Sequence, residues 1–154
     1  MATALLQRNE KVIVLDYVCA QWPAGVAMTR RADLAIAFMR DNPGCHAFID
    51  ETALVTDRYN PEHNFFSATS RNYGGNVTFI GQRPTMLPPT VRANTDRLYM
   101  FTLAGPDIEI LAQEFARPEL LTLPRLDRMR FVVVDRFGDS PLAIQELELE
   151  DDET

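Results

Sequence analysis

The chain has 154 residues, 46% of them hydrophobic, which is enough for one compact domain with a real core. No apolar run approaches the roughly 20 residues of a membrane-spanning helix and the N-terminus has no signal-peptide pattern, so a soluble intracellular protein is expected. The net charge of −7 is concentrated at one end, in Glu146, Glu148, Glu150, Asp151, Asp152 and Glu153, so residues 1–145 read as one α/β domain and 146–154 as a solvated acidic tail.

In chain order, residues 2–8 read as the end of a helix, and Lys11 to Tyr17 (KVIVLDY) as a buried parallel strand. A loop marked by Trp22 and Pro23 follows. Thr29 to Arg40 reads as an amphipathic helix with Leu34, Ile36, Ala37 and Phe38 inward, stopped by Asn42-Pro43-Gly44. His46 to Asp50 (HAFID) is a second strand. Pro61 to Asn72 reads as a helix closed by Gly74-Gly75, and Val77 to Gly81 (VTFIG) as a third strand leading into Gln82-Arg83-Pro84. Leu98 to Leu103 is a fourth parallel strand, and Pro106 to Phe115 a helix with proline in its first turn. Phe131 to Asp135 and Pro141 to Leu147 flank Gly138 as a hairpin. Short β-branched runs alternating with helical stretches define an α/β fold with a mostly parallel sheet and flanking helices.

Three strands end in polar residues: Asp16, then Asp50-Glu51, then Gln82. Ligands of parallel α/β sheets bind beyond the carboxyl ends of the strands, so the three endings together describe one polar site. Taken singly, each acid reads equally as a turn cap. An acid at the end of an apolar strand can hold Mg²⁺ through water, because the ion prefers oxygen and dehydrates reluctantly. A second carboxylate beside it can take a proton from an attacking water, and an amide on the next strand can orient that water toward a γ-phosphate. Asp50, Glu51 and Gln82 suit these roles in that order. Tyr17 and Trp22 suit either stacking on a base or anchoring a loop. His46 and His63 have no second ligand at metal spacing, and neither do Cys19 and Cys45.

The stretch FIDE at 48–51, followed by NVTFIGQRPTMLPPTVRANTDRLYMF at 76–101, resembles the HerA/FtsK-type ATPases, and within them is most similar to the genome-packaging ATPases of viruses and phages. The resemblance covers roughly residues 5–116, with Val91, Arg92 and Asn94 matching a segment of the form (I/V)-R-x-N. It implies a P-loop NTPase-like core, ATP with Mg²⁺, double-stranded DNA as the partner of the assembled motor, and either a homo-oligomeric ring or an ATPase partner subunit. It places the protein in the host cytoplasm or with the virion, and away from membranes. Carried over, Asp50 is the Mg²⁺-associated acid, Glu51 the catalytic base and Gln82 the sensor. Asp16 lies on the nucleotide side. Arg71 and Arg92 are the candidate arginines that reach phosphate, Arg92 having the alternative of an ion pair with Asp96 or Asp107.

One part of the pattern is absent. The loop G-x-x-x-x-G-K-[ST], whose amides and lysine hold the phosphates, occurs nowhere in the chain. Lys11 is the one lysine, and it enters a strand rather than a glycine-rich turn. The implied core is therefore one missing its first strand and phosphate loop. Two readings follow, a shortened reading frame or a relative that has lost catalysis and serves assembly. In the resembled family the missing strand lies beside the Gln82 strand. The first reading thus leaves an unpaired apolar edge there, and the second requires that something cover it.

Overall fold

The computed structural model describes residues 1–18, 20–50, 64–138 and 141–147. They fall into two compact units, Met1–Asn94 and Thr95–Thr154. Glu51, His63, Cys19 and most of the acidic tail lie outside the described residues.

The N-terminal unit is built on four parallel strands in the order β2-β1-β3-β4: β1 Val12–Leu15, β2 Ala27–Thr29, β3 His46–Ile49 and β4 Asn76–Phe79. Every residue of β1 is buried, as its unbroken Val-Ile-Val-Leu run requires of a central parallel strand. Ile13, Leu15, Ala47 and Ile49 face one layer, in which helix α2 (Ala32–Asp41) contributes Ala35, Ile36 and Met39, and a π-turn (Phe65–Thr69) contributes Phe65 and Phe66. Val12, Val14 and Phe48 face the other, against helix α1 (Ala2–Gln7) and Trp22. Alternation along each strand thus divides the core into two layers, one on either side of the sheet.

Several sequence expectations change here. Thr29 belongs to a strand, not to the helix, because β2 pairs in parallel with β1 and its Thr29 carbonyl accepts the Asp16 amide at 3.0 Å. With α2 starting at Ala32, its buried stripe is Ala35, Ile36 and Met39. Leu34, at 49% exposed, and Ala37 face outward, while Phe38 is half-buried. Positions one and four apart from Ala35 meet the sheet, and a leucine outside that stripe stays exposed however apolar it is. Of the helix expected over Pro61 to Asn72, residues 61–63 lie outside the described residues, and the rest is a π-turn followed by a 3₁₀ turn (Ser70–Tyr73). Gly74 closes it as expected, with φ +66°, the left-handed value that favours glycine. Gly75 permits close approach, since a Cβ there would lie 2.8 Å from the Met39 methyl carbon.

The strand expected to end the parallel set does not join it. β5 (Arg97–Met100) pairs antiparallel with β6 (Arg130–Asp135), which pairs antiparallel with β7 (Ile144–Glu146). An apolar run records burial but not strand direction. The hairpin expected around Gly138 is the β6–β7 pair. Met100, Val132 and Val134 face helix α4 (Gly105–Glu114), whose Leu111, Ala112 and the following Phe115 complete the second core. Arg136 closes α4 from outside: its Nη1 donates to the Glu114 carbonyl at 2.6 Å and its guanidinium lies 4.2 Å from the Phe115 ring centre.

His46 shows how burial sets a titration. Its Nε2 lies 2.8 Å from Thr78 Oγ1 on β4 and its ring stacks on Phe48 at 4.7 Å. Burial holds the imidazole below its ordinary value, with Glu10 opposing the shift. The unfolded chain then binds the proton more readily, so the folded state loses stability as the pH falls through about 6.5. Thermal unfolding of the wild type is expected to drop more between pH 7.5 and 5.5 than that of His46→Gln. Parallel curves for the two proteins would refute the assignment.

Candidate functional site

The parallel register brings the expected residues to one edge. Leu15 pairs with Ile49 and Ile49 with Phe79, so Asp16, Asp50 and Ile80 follow one another across three neighbouring strands. The ladder runs on through them: the Asp50 amide donates to the Leu15 carbonyl at 3.0 Å and the Ile80 amide to the Ile49 carbonyl at 2.9 Å. Gln82 lies two residues past Ile80. With about 4.8 Å between strands and 3.8 Å between successive Cα atoms, its Cα is within about 12 Å of that of Asp50. Asp50 is half-buried and Gln82 exposed.

Asp16 is oriented back into its own loop. It is 1% exposed, its Oδ1 accepts the Val18 amide at 2.7 Å, and its Oδ2 accepts the Ala20 amide at 2.7 Å and the Trp22 Nε1–H at 3.0 Å. A buried carboxylate survives only with such partners. These bonds to the loop match the turn-cap alternative, and Asp16 buttresses the edge. Trp22 is the loop's anchor, its ring 5.5 Å from Phe48, while Tyr17 is exposed. Sequence reasoning missed the Asp16–Trp22 bond, whose trace is an aspartate followed six residues on by the chain's one indole.

Arg71 and Arg92 both work on the segment that follows Gln82. Arg92 stands on helix α3 (Pro89–Ala93), and its Nη1 donates to the carbonyls of Pro84 at 3.0 Å and Leu87 at 2.5 Å. Arg71, on the 3₁₀ turn, donates to the Asn94 carbonyl at 2.6 Å. Val91 is core, and Asn94 Nδ2 donates to the Thr90 carbonyl at 2.9 Å. The Val-Arg-x-Asn segment thus builds a short helix and ties it down.

The lysine stands at the wrong end for phosphate. Lys11 immediately precedes β1, and its Nζ donates to Asn42 Oδ1 at 2.5 Å. It therefore sits at the amino edge of the sheet, separated from the Asp50 edge by the length of a four-residue strand, about 13 Å. Among the described residues no three histidines, cysteines or acids converge to hold a metal ion. Asp50 suits an ion that keeps most of its water, as Mg²⁺ does.

An all-parallel four-stranded sheet with helices on both faces and its acids at the carboxyl edge is a P-loop NTPase-like α/β fold, as the sequence implied. Among solved structures, the chain is similar to the genome packaging NTPase B204 from Sulfolobus turreted icosahedral virus 2. The complex with ATP-gammaS aligns with a TM-score of 0.76 at 15% identity, covering 96% of this chain and 88% of that one. The AMP complex aligns with a TM-score of 0.78 at the same identity and coverage. The N-terminal domain of zonular occludens toxin from Neisseria meningitidis aligns with a TM-score of 0.51 at 13% identity, covering 92% and 76%. No family model matches the chain, and no curated protein matches it in sequence. At such identities the likeness is one of fold. Among the described residues no helix is long and apolar enough to cross a membrane.

Proposed function

We propose that this chain is an ATPase-like domain of a viral DNA-packaging or DNA-translocating motor whose nucleotide site is completed by another chain. The observation that carries this reading is the register that aligns Asp16, Asp50 and the Gln82 segment at one sheet edge, in a fold shared with a genome packaging NTPase that has been seen with ATP-gammaS and AMP. Asp50 would hold Mg²⁺ through water, and the bound ion would offset charge on the phosphates. Glu51 would accept the proton of the attacking water, and Gln82 would orient that water. Arg71 and Arg92 would keep the Gln82 segment in place, with either able to reach phosphate in an assembled ring. Asp16 would hold the neighbouring loop. Double-stranded DNA is the partner proposed for that assembly.

The residues present do not fit a triphosphate on their own. No phosphate loop exists in the sequence, and Lys11 is at the far edge. This favours a second reading, a non-catalytic module that joins active subunits. Glu51→Gln separates the two, because glutamine keeps the size of the side chain but cannot take the proton. In a mixed assembly with an ATPase partner, the variant is expected to abolish hydrolysis of the shared site while assembly stays intact. Equal phosphate release from wild-type and variant mixtures would leave only the non-catalytic module.

A further inference from the structure

The β4 edge carries an inference that does not depend on the ATPase reading. The four-stranded sheet ends at β4. The amides of Asn76 and Ile80 donate toward β3, to Cys45 at 3.0 Å and Ile49 at 2.9 Å. By the alternation of an extended strand, the N–H and C=O groups of Val77 and Phe79 point the other way, where no strand pairs with them among the described residues. Natural sheets protect such an edge with charge, proline or a bulge. Asn76 to Ile80 holds no charged residue and no proline, and its pairing with β3 runs without interruption. The opposite edge, β2, runs instead into Arg30-Arg31.

We propose that β4 is a self-association edge, on which a second copy of this chain pairs its own β4 antiparallel about a twofold axis through Thr78. In that register Val77 of one copy faces Phe79 of the other, and each such pair exchanges both of its outward backbone bonds, about four bonds in all. Val77 and Phe79 already lie half-buried at the margin of the core beneath α2. Directly opposite residues share a face, so the four side chains meet as one cluster and carry that core across the axis. The seam has no charge to oppose a second copy, although each chain carries −7 overall. A seam this short lies at the weak end of protein interfaces, so the dimer is reversible and strengthens with added salt.

Sedimentation equilibrium of the full chain, from about 5 to 500 µM, is expected to show a monomer passing reversibly into a dimer. Val77→Pro deletes an outward-facing N–H and no β3–β4 bond, so it is expected to stay folded by circular dichroism and to sediment as a monomer throughout. In the wild type, amide exchange at Val77 and Phe79 is expected to slow several-fold at high concentration, while Thr78, which faces β3, is unchanged. A wild-type monomer at every concentration overturns the proposal, as does a dimer that Val77→Pro retains. Should that variant not fold, exchange at Val77 and Phe79 that is independent of concentration overturns it equally.

Discussion

Asp16→Ala is expected to destabilise the N-terminal unit by about 3–5 kcal/mol, among the largest effects of any single substitution in this chain. The carboxylate is 1% exposed and accepts the amides of Val18 and Ala20 and the indole N–H of Trp22. Bonds to a charged acceptor are worth about 1.5–3 kcal/mol each, and alanine leaves all three donors without it at once. They are not additive, because the loop can relax and admit water. Asp16→Asn keeps one acceptor oxygen and is expected to lose about half as much. Trp22 is the chain's one tryptophan, so its fluorescence follows this unit directly during urea unfolding. A midpoint for Asp16→Ala within error of the wild type would show that the loop is held by other contacts. Catalytic reasoning alone would predict no stability loss, so the measurement also separates buttress from ligand.

The isolated chain is expected to bind ATP no more tightly than the millimolar range. A bound triphosphate is ordinarily held by several loop amides and a lysine, each a charge-assisted bond worth about 1.5–3 kcal/mol, and losing three of them costs several powers of ten in affinity. Neither element is present at the Asp50 edge: the sequence lacks the glycine-rich loop, and Lys11 is engaged with Asn42 at the other end of β1. Mg²⁺ at one carboxylate does not offset such a loss. Titration calorimetry of the purified chain with Mg-ATP measures this directly. Micromolar affinity would mean that other groups cradle the phosphates, and that the need for a second chain is wrong. Arg71→Ala and Arg92→Ala would then identify them.

The local chemistry of the strands could be read from residues alone. Val12 to Leu15 and Ala47 to Ile49 announce buried parallel strands because a strand covered on both faces is apolar nearly throughout. Acids just beyond such runs announce an edge, and proline and glycine mark where helices begin and stop. The parallel arrangement of β1, β3 and β4 followed from that pattern, and so did the placing of Asp16, Asp50 and Gln82 together. What a sequence pattern cannot express is relation between distant segments. The direction of β5 depends on β6, more than thirty residues later, and the pairing energy that decides it is absent from either run alone. Likewise Ala27–Thr29 is too short to show a period, and only the β1 edge makes it a strand. The side that α2 buries was set by the sheet beneath it, which took Ala35, Ile36 and Met39 and left Leu34 exposed, although leucine is more apolar than alanine. The task of Asp16 was likewise decided in three dimensions. A carboxylate at a strand end can face a ligand or its own loop, and burial beside three donors turns it inward.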